Sequence, residues 1–216
     1  MTSKVSPKIY RIGKTKKWDS KGFYESDFAS FLQEDFEIRK FLNESLRTVG
    51  VERIGIERSF DELSILIYSS RPGLIIGRGG EGVKNLKEKL EKKLNALSEE
   101  NKTKKIKIEI REVKNPWLSA SLVAQDVARQ LEKRLPYRRV VKQAIHKTMI
   151  NKEVKGVRIQ VKGRLNGVEI ARGEHFQEGQ LKRMMIRAKL DYGFEIARCS
   201  YGVIGIKVLI YKGEEF

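Results

Sequence analysis

The sequence predicts an α+β protein built as two successive layered domains, and three observations carry that reading. Alternating apolar runs of strand length, such as Leu63, Ile65, Ile67 and Ile106, Ile108, Ile110, are interleaved with segments whose apolar residues recur at helical spacing. Asn115-Pro116 breaks the chain between one such set and the next. Forty-five Lys plus Arg against twenty-eight Asp plus Glu leave a net charge of +17. A folded chain with that excess repels itself, and a polyanionic partner relieves the strain. The division is a basic arm over residues 1–21, a first domain over 22–114 and a second over 117–213.

The arm holds Lys4, Lys8, Arg11, Lys14, Lys16, Lys17 and Lys21 against the single acid Asp19, with Pro7 and Gly13 opposing a helix. It reads as a segment that orders on a polyanion, with Lys4, Lys8 and Arg11 as RNA contacts, or equally as a solvated, disordered terminus. From Asp35 to Gly50, Ile38, Phe41, Leu42, Leu46 and Val49 follow helical spacing, and Gly50 is a natural stop. Val51–Glu57 reads as a strand, and Leu63, Ile65 and Ile67 alternate in the next. Val83, Leu86, Leu90, Leu94 and Leu97 form a helical stripe whose flanking lysines suit a solvated face.

Between that second strand and the long helix lies Pro72-Gly73-Leu74-Ile75-Ile76-Gly77-Arg78-Gly79-Gly80-Glu81-Gly82. Glycines this dense beside a helix start serve a positive φ or a close backbone approach. Gly77, Gly79 and Gly82 match the G-x-G-x-x-G dinucleotide fingerprint, but the glycines do not follow a strand directly. No acid marks a second strand tip, and Val83 stands where a phosphate loop needs Lys. A ligand-free helix–helix turn is a further alternative. The fuller match is Ile-Gly-x-x-Gly between two helices, the loop that lays its backbone against RNA in the KH module. The order helix–strand–strand–short helix–loop–long helix–strand is that of a type II KH domain, with helices on one face of a small sheet. Arg71, Gly77, Arg78, Gly79 and Gly80 are then candidate RNA-binding residues.

Beyond Asn115-Pro116, Ala120, Val123, Ala124, Val127, Leu131 and Leu135 continue a helical stripe that Pro136 closes. Lys133–Lys152 contains seven Lys or Arg and no acid. Arg138, Arg139 and Lys142 share one face of the second helix, within an arc of about 100°. Such a face without interleaved acids points to phosphate rather than to mere solvation. Val157, Ile159 and Val161 alternate, and Asn166-Gly167 turns them back onto Val168 and Ile170 as a hairpin. Further strands fall near Met185–Tyr192 and Ile204–Ile210, so the second domain is two helices on a mainly antiparallel sheet. Arg158, Lys162, Arg164 and Arg172 alternate with the apolar positions and offer a charged face, adding Arg164 and Arg172 to the RNA candidates.

Catalytic and metal signals are poor. His146 and His175 lack partners at ligand spacing, Cys199 is the one cysteine, and no nucleophile motif appears. No apolar run reaches membrane-spanning length, and no cofactor or metal is implied. Cys199 reads as a small buried residue in a reducing compartment.

With these residues laid out, the sequence resembles the universal small-subunit ribosomal protein S three family in its bacterial form. The resemblance is carried by Arg71–Gly82, by Glu132-Lys-Arg-Leu-Pro-Tyr-Arg-Arg-Val-Val-Lys142, by Lys155–Arg172 and by Asp191-Tyr192 with Tyr201–Gly213. It runs in order from about Lys4 to Gly213. Ser6 stands before Pro7 where bacterial relatives usually carry His, and Gln180–Met185 lacks their common Val-Pro-Leu-His segment. The resemblance implies a non-enzymatic structural protein of the cytoplasmic ribosome, in the head of the small subunit. It implies that Arg138, Arg139 and Lys142 line the mRNA entrance and help unwind structured mRNA. The implied partners are small-subunit rRNA, mRNA and the neighbouring head proteins S ten and S fourteen. A free-standing KH-type RNA-binding regulator is the alternative.

Overall fold

The computed structural model describes residues 5–12, 18–22, 28–59, 62–97 and 105–214. Contacts divide the chain into two compact units, Trp18–Lys114 and Asn115–Phe216, the second of which also takes in Met1–Lys17.

The first unit has a four-stranded sheet in the order β1 (Ser20–Gly22), β2 (Val51–Arg58), β3 (Glu62–Ser69), β4 (Lys105–Glu112). β2 and β3 are antiparallel, whereas β1 on β2 and β4 on β3 are parallel. A parallel neighbour needs a crossover, and the β3–β4 crossover carries α2 (Pro72–Ile76) and α3 (Glu81–Leu97). Ile54 and Ile56 of β2, Leu63, Ile65 and Ile67 of β3, and Ile106 of β4 share a core with Ile38, Leu42 and Leu46 of α1 (Phe28–Ser45) and Leu90 of α3.

α1 begins seven residues before the expected Asp35. Phe28, Leu32 and Phe36 of its early turns are all exposed, so the apolar pattern there does not mark a buried face. An ion cluster locks this helix to the sheet. Arg58, 7% exposed, donates through Nε to Asp35 Oδ1 at 2.8 Å and through Nη1 to Glu34 Oε2 at 2.7 Å. Breaking a pair buried this far leaves an uncompensated charge, which costs about 3–5 kcal/mol.

The strand β1 revises the boundary drawn from charge. Ser20–Gly22 pairs with Ile56–Arg58, and Arg39 of α1 donates to Asp19 O at 3.0 Å and Ser20 Oγ at 2.8 Å. Residues 18–22 therefore belong to the first unit rather than to a basic arm.

The second unit is a fully antiparallel sheet, β6-β5-β8-β7, from β5 (Gly156–Gly163), β6 (Arg172–Gly179), β7 (Ala188–Cys199) and β8 (Gly202–Glu214). Val123, Val127 and Leu131 of α4 (Ala120–Glu132) and Val140, Val141 and Ala144 of α5 (Tyr137–Met149) pack with Val157, Ile159 and Val161 and with Ile204, Ile206, Val208 and Ile210. Ser119, in the N-cap position, makes no side-chain bond to α4; Asp191 Oδ2 instead accepts the Ala120 N–H at 2.7 Å, a cap supplied by β7.

Two expectations are corrected here. The strand returning from Asn166-Gly167 starts at Arg172, paired with Gly163, not at Val168. Leu165 is buried and Asn166 takes φ 56°, so the chain makes a wider loop that leaves Ile170 75% exposed. The second correction concerns the amino-terminal segment. Arg11 is 4% exposed, and its guanidinium donates to Ala188 O (2.9 Å), Pro7 O (2.8 Å), Arg183 O (3.2 Å) and Met185 O (2.7 Å). Four carbonyls occupy the cation, so Arg11 is a clasp inside the second unit and not a phosphate contact. Nearby, Ala188, Leu190 and Tyr211 form a small separate core with Leu181.

Candidate nucleic-acid interface

The glycine segment forms two short helical pieces and a tight turn. Pro72 opens α2, where its missing N–H is no loss, and Gly77 closes it with φ 70°, its N–H donating to Gly73 O at 3.0 Å. Arg78–Gly80 make one 3₁₀ turn in which Gly79 and Gly80 take φ 61° and 80°, and α3 starts at once. Gly82 is needed for a different reason: a Cβ there would overlap the Ile75 carbonyl oxygen, so its absence lets α3 start against α2. At Gly79 and Gly80 a Cβ would meet nothing, which places this backbone at the surface. Arg71 and Arg78 are exposed on either side of α2, whose Leu74 and Ile76 are exposed as well.

This geometry excludes the dinucleotide alternative. The fingerprint requires a strand that runs directly into the glycine turn, whereas here α2 stands between β3 and Gly77. A turn between helices with open glycine backbone and flanking cations suits a nucleic-acid backbone laid across it.

On α5, Tyr137, Val140, Val141, Ala144, Ile145 and Thr148 are buried, so the opposite side carries Arg138, Arg139, Lys142, Gln143 and His146 exposed. The helix is free of acids in sequence but not in space. β6 brings Glu174 to it: Glu174 Oε1 accepts from Tyr137 Oη at 2.8 Å and from Arg138 Nη2 at 3.0 Å, and Arg138 Nε donates to Tyr137 Oη at 3.0 Å. The hydrogen bond from Arg138, then that from Tyr137, holds the Glu174 carboxyl below the usual carboxylate range, while Glu174 raises the Arg138 pKa. The expectation of three unpaired cations is therefore corrected for Arg138, a held and oriented guanidinium. Arg139 and Lys142 make no ion pair among the described residues. Glu174 was missed because its signal is one of strand parity: it lies on the same side of β6 as Phe176, which packs on the helix-side core.

The remaining candidates separate by environment. Arg164 donates to Val168 O at 3.0 Å and Tyr201 O at 3.1 Å, bracing the β5–β6 loop. Arg172 is exposed at the start of β6 and adds to the field that lowers Glu174. Lys8 lies on the amino-terminal segment held by Arg11, and Lys4 falls outside the described residues. Among the described residues no cluster of His, Cys, Asp and Glu could hold a metal, and no helix is long and apolar enough to cross a membrane.

Comparison with known proteins adds two family matches in chain order. The KH domain family matches residues 37–118, and the family described as Ribosomal protein S3, C-terminal domain, matches residues 127–210. The chain is 44% identical over 215 residues to Small ribosomal subunit protein uS3 of Clostridium botulinum (strain Okra / Type B1), covering 99% of this chain and 93% of that protein. It is 42% identical over 214 residues to the protein of the same name from Desulfitobacterium hafniense, covering 99% and 94%. Against that of Caldicellulosiruptor saccharolyticus the identity is 42% over 215 residues, covering 99% and 93%.

Proposed function

Because the chain belongs to the bacterial uS3 family of small ribosomal subunit proteins, we propose that its α5 face lines the mRNA entrance of the subunit head and helps open structured mRNA there. The protein is a structural, RNA-binding component of the small subunit and not an enzyme. The observation that supports the entrance role is the contrast within α5: Arg138 is oriented by Glu174 and Tyr137, while Arg139 and Lys142 are exposed and have no protein counter-ion among the described residues.

Cations on a helix that is packed along its other side attract the phosphates of one strand, and Arg138, already held by Glu174 and Tyr137, does so at a smaller ordering cost than a free side chain. When translocation pulls mRNA past such a surface, one strand of a hairpin is held and its pairing partner is left behind. The work comes from translocation, so no nucleotide site is needed. The glycine turn, with Arg71 and Arg78, is a second contact for RNA backbone, and Arg172 adds field beside α5. rRNA and the head proteins S ten and S fourteen complete the set of partners.

The test is the triple variant R138A/R139A/K142A in reconstituted translation. Elongation through a stable downstream hairpin is expected to slow more than elongation through an unstructured message. Equal slowing of both messages would count against a role at the entrance.

A further inference from the structure

In a chain whose net charge is +17, one run departs from the rest. Between Lys21 and Arg39 stand five acids, Glu25, Asp27, Glu34, Asp35 and Glu37, and no Lys or Arg. The same run holds four of the nine phenylalanines, Phe23, Phe28, Phe31 and Phe36. From Phe28 onward it is the first part of α1, where Phe28, Leu32 and Phe36 recur at every fourth position and follow one another over about 12 Å. They are 56%, 56% and 63% exposed, whereas Ile38 and Leu42 of the same helix are buried against the sheet. Among the described residues, no other helix shows large apolar side chains exposed at three successive turns. The core of this unit closes over Ile38, Leu42 and Leu46 without them, so the stripe serves something other than the fold.

The cations of α1 and of the strand it packs on are turned inward. Arg58 is held by Glu34 and Asp35. Arg39 donates to Ile54 O at 2.6 Å as well as to Asp19 O and Ser20 Oγ. Lys40 Nζ lies 3.8 Å from Glu37 Oε1. Each of these three faces a carbonyl or a carboxylate of its own unit. A nucleic-acid strand laid on the stripe therefore meets acids and apolar rings, the reverse of the cationic surface that phosphate needs.

We propose that this stripe of α1 docks a basic segment of another protein, whose apolar side chains cover Phe28, Leu32 and Phe36 and whose Lys or Arg face the acids of the run. Anchors one turn apart on a helix are a recurrent way to fill an apolar groove, and aromatic residues are enriched in such contacts. The local acids select the sign of the partner: a basic segment is drawn to them, whereas phosphate is repelled. A second copy of the chain is opposed by the net positive charge that both copies carry. A membrane surface calls for Lys and Arg beside the apolar stripe, and the run has none. α1 carries neither the glycine turn nor the α5 cations, so this surface does not depend on the mRNA reading.

Two experiments test this. In purified small subunits whose Leu32 is replaced by p-benzoylphenylalanine, illumination is expected to join the chain to a peptide of another protein in which Lys or Arg adjoin large apolar residues. Adducts confined to RNA or to a second copy, or no adduct, would overturn the proposal. In solution, the full chain is titrated with two synthetic amphipathic peptides, both with Leu on one side and with either Lys or Glu on the other. L32S/F36S is expected to weaken binding of the Lys peptide about tenfold and to leave that of the Glu peptide unchanged. I170S, at an exposed apolar position of the second unit, is expected to change neither. Equal loss for both peptides in L32S/F36S, no loss for the Lys peptide, or the same loss in I170S would overturn the docking role. E37K is expected to weaken the Lys peptide as well; unchanged or tighter binding would overturn the charge match.

Discussion

The glycine turn and the α5 face are both suited to RNA, yet the two are built in opposite ways. The turn is made of backbone: Gly77, Gly79 and Gly80 adopt positive φ, and Gly82 lets α3 start against α2. Its shape is set by glycines, and a Cβ added at Gly77 or Gly82 would press on neighbouring backbone atoms. The α5 face is made of side chains on an ordinary helix whose buried residues, Val140, Val141 and Ala144, secure it independently of the cations. Shape there is separable from charge. The lesson is that substitutions at the turn confound folding with binding, whereas substitutions on α5 report binding.

The sharpest break in that comparison is expected at Gly82. Gly82→Ala forces a methyl onto the Ile75 carbonyl oxygen, and the stability of the first unit should fall by about 1–3 kcal/mol, as for other overpacked sites. Chemical denaturation checks this, and a change under half a kcal/mol would mean that α2 yields. On the other side, R139A/K142A should leave stability within about 0.5 kcal/mol. It should lower RNA affinity for all sequences alike and reduce the salt slope by about 1–2. Titrations at several salt concentrations decide this; a loss confined to one RNA sequence would mean base contact instead.

A smaller effect separates the two roles of glycine within the turn. Gly79→Ala meets no neighbouring atom, so only the φ of 61° opposes it. The cost is about 1–2 kcal/mol, and Gly79→Asn should recover part of it. Equal losses for Ala and Asn would point to backbone contact rather than conformation.

The smallest expected effect is the pH response of the Arg138 clasp. The folded Glu174 carboxyl titrates below its unfolded value, chiefly through its hydrogen bond from Arg138. The unfolded state therefore binds the proton more readily, and the clasp stabilises the fold above the unfolded carboxylate pKa of about 4.3. The contribution fades as pH falls through the folded value. The difference in thermal midpoint between wild type and E174Q should shrink from pH 7 to pH 3; a difference that grows would reverse the assignment.

Much of the fold is legible in the sequence. Ile54 and Ile56, then Leu63, Ile65 and Ile67, alternate because one side of their sheet is buried, and period two survives in sequence wherever that holds. Pro136 marks a helix edge for a reason internal to the residue, because its ring cannot continue the helix before it. The start of α1 was lost because Phe28, Leu32 and Phe36 face solvent, where an apolar side chain gives no information about burial. Val168 and Ile170 misled for a related reason: β propensity in a loop resembles β propensity in a strand until pairing is known.

What the sequence determined by itself was local and additive: the net positive charge, the helical and extended periods, the glycines that permit positive φ, and an α5 without acids. These depend on each residue and its near neighbours in the chain. Only the tertiary structure decided which charges remain available. Arg11 was drawn into four carbonyls, Arg164 into two, and Arg138 was paired with an acid thirty-six residues away. Hydrogen bonds and ion pairs act over a few ångströms in space, and sequence separation carries no record of that distance.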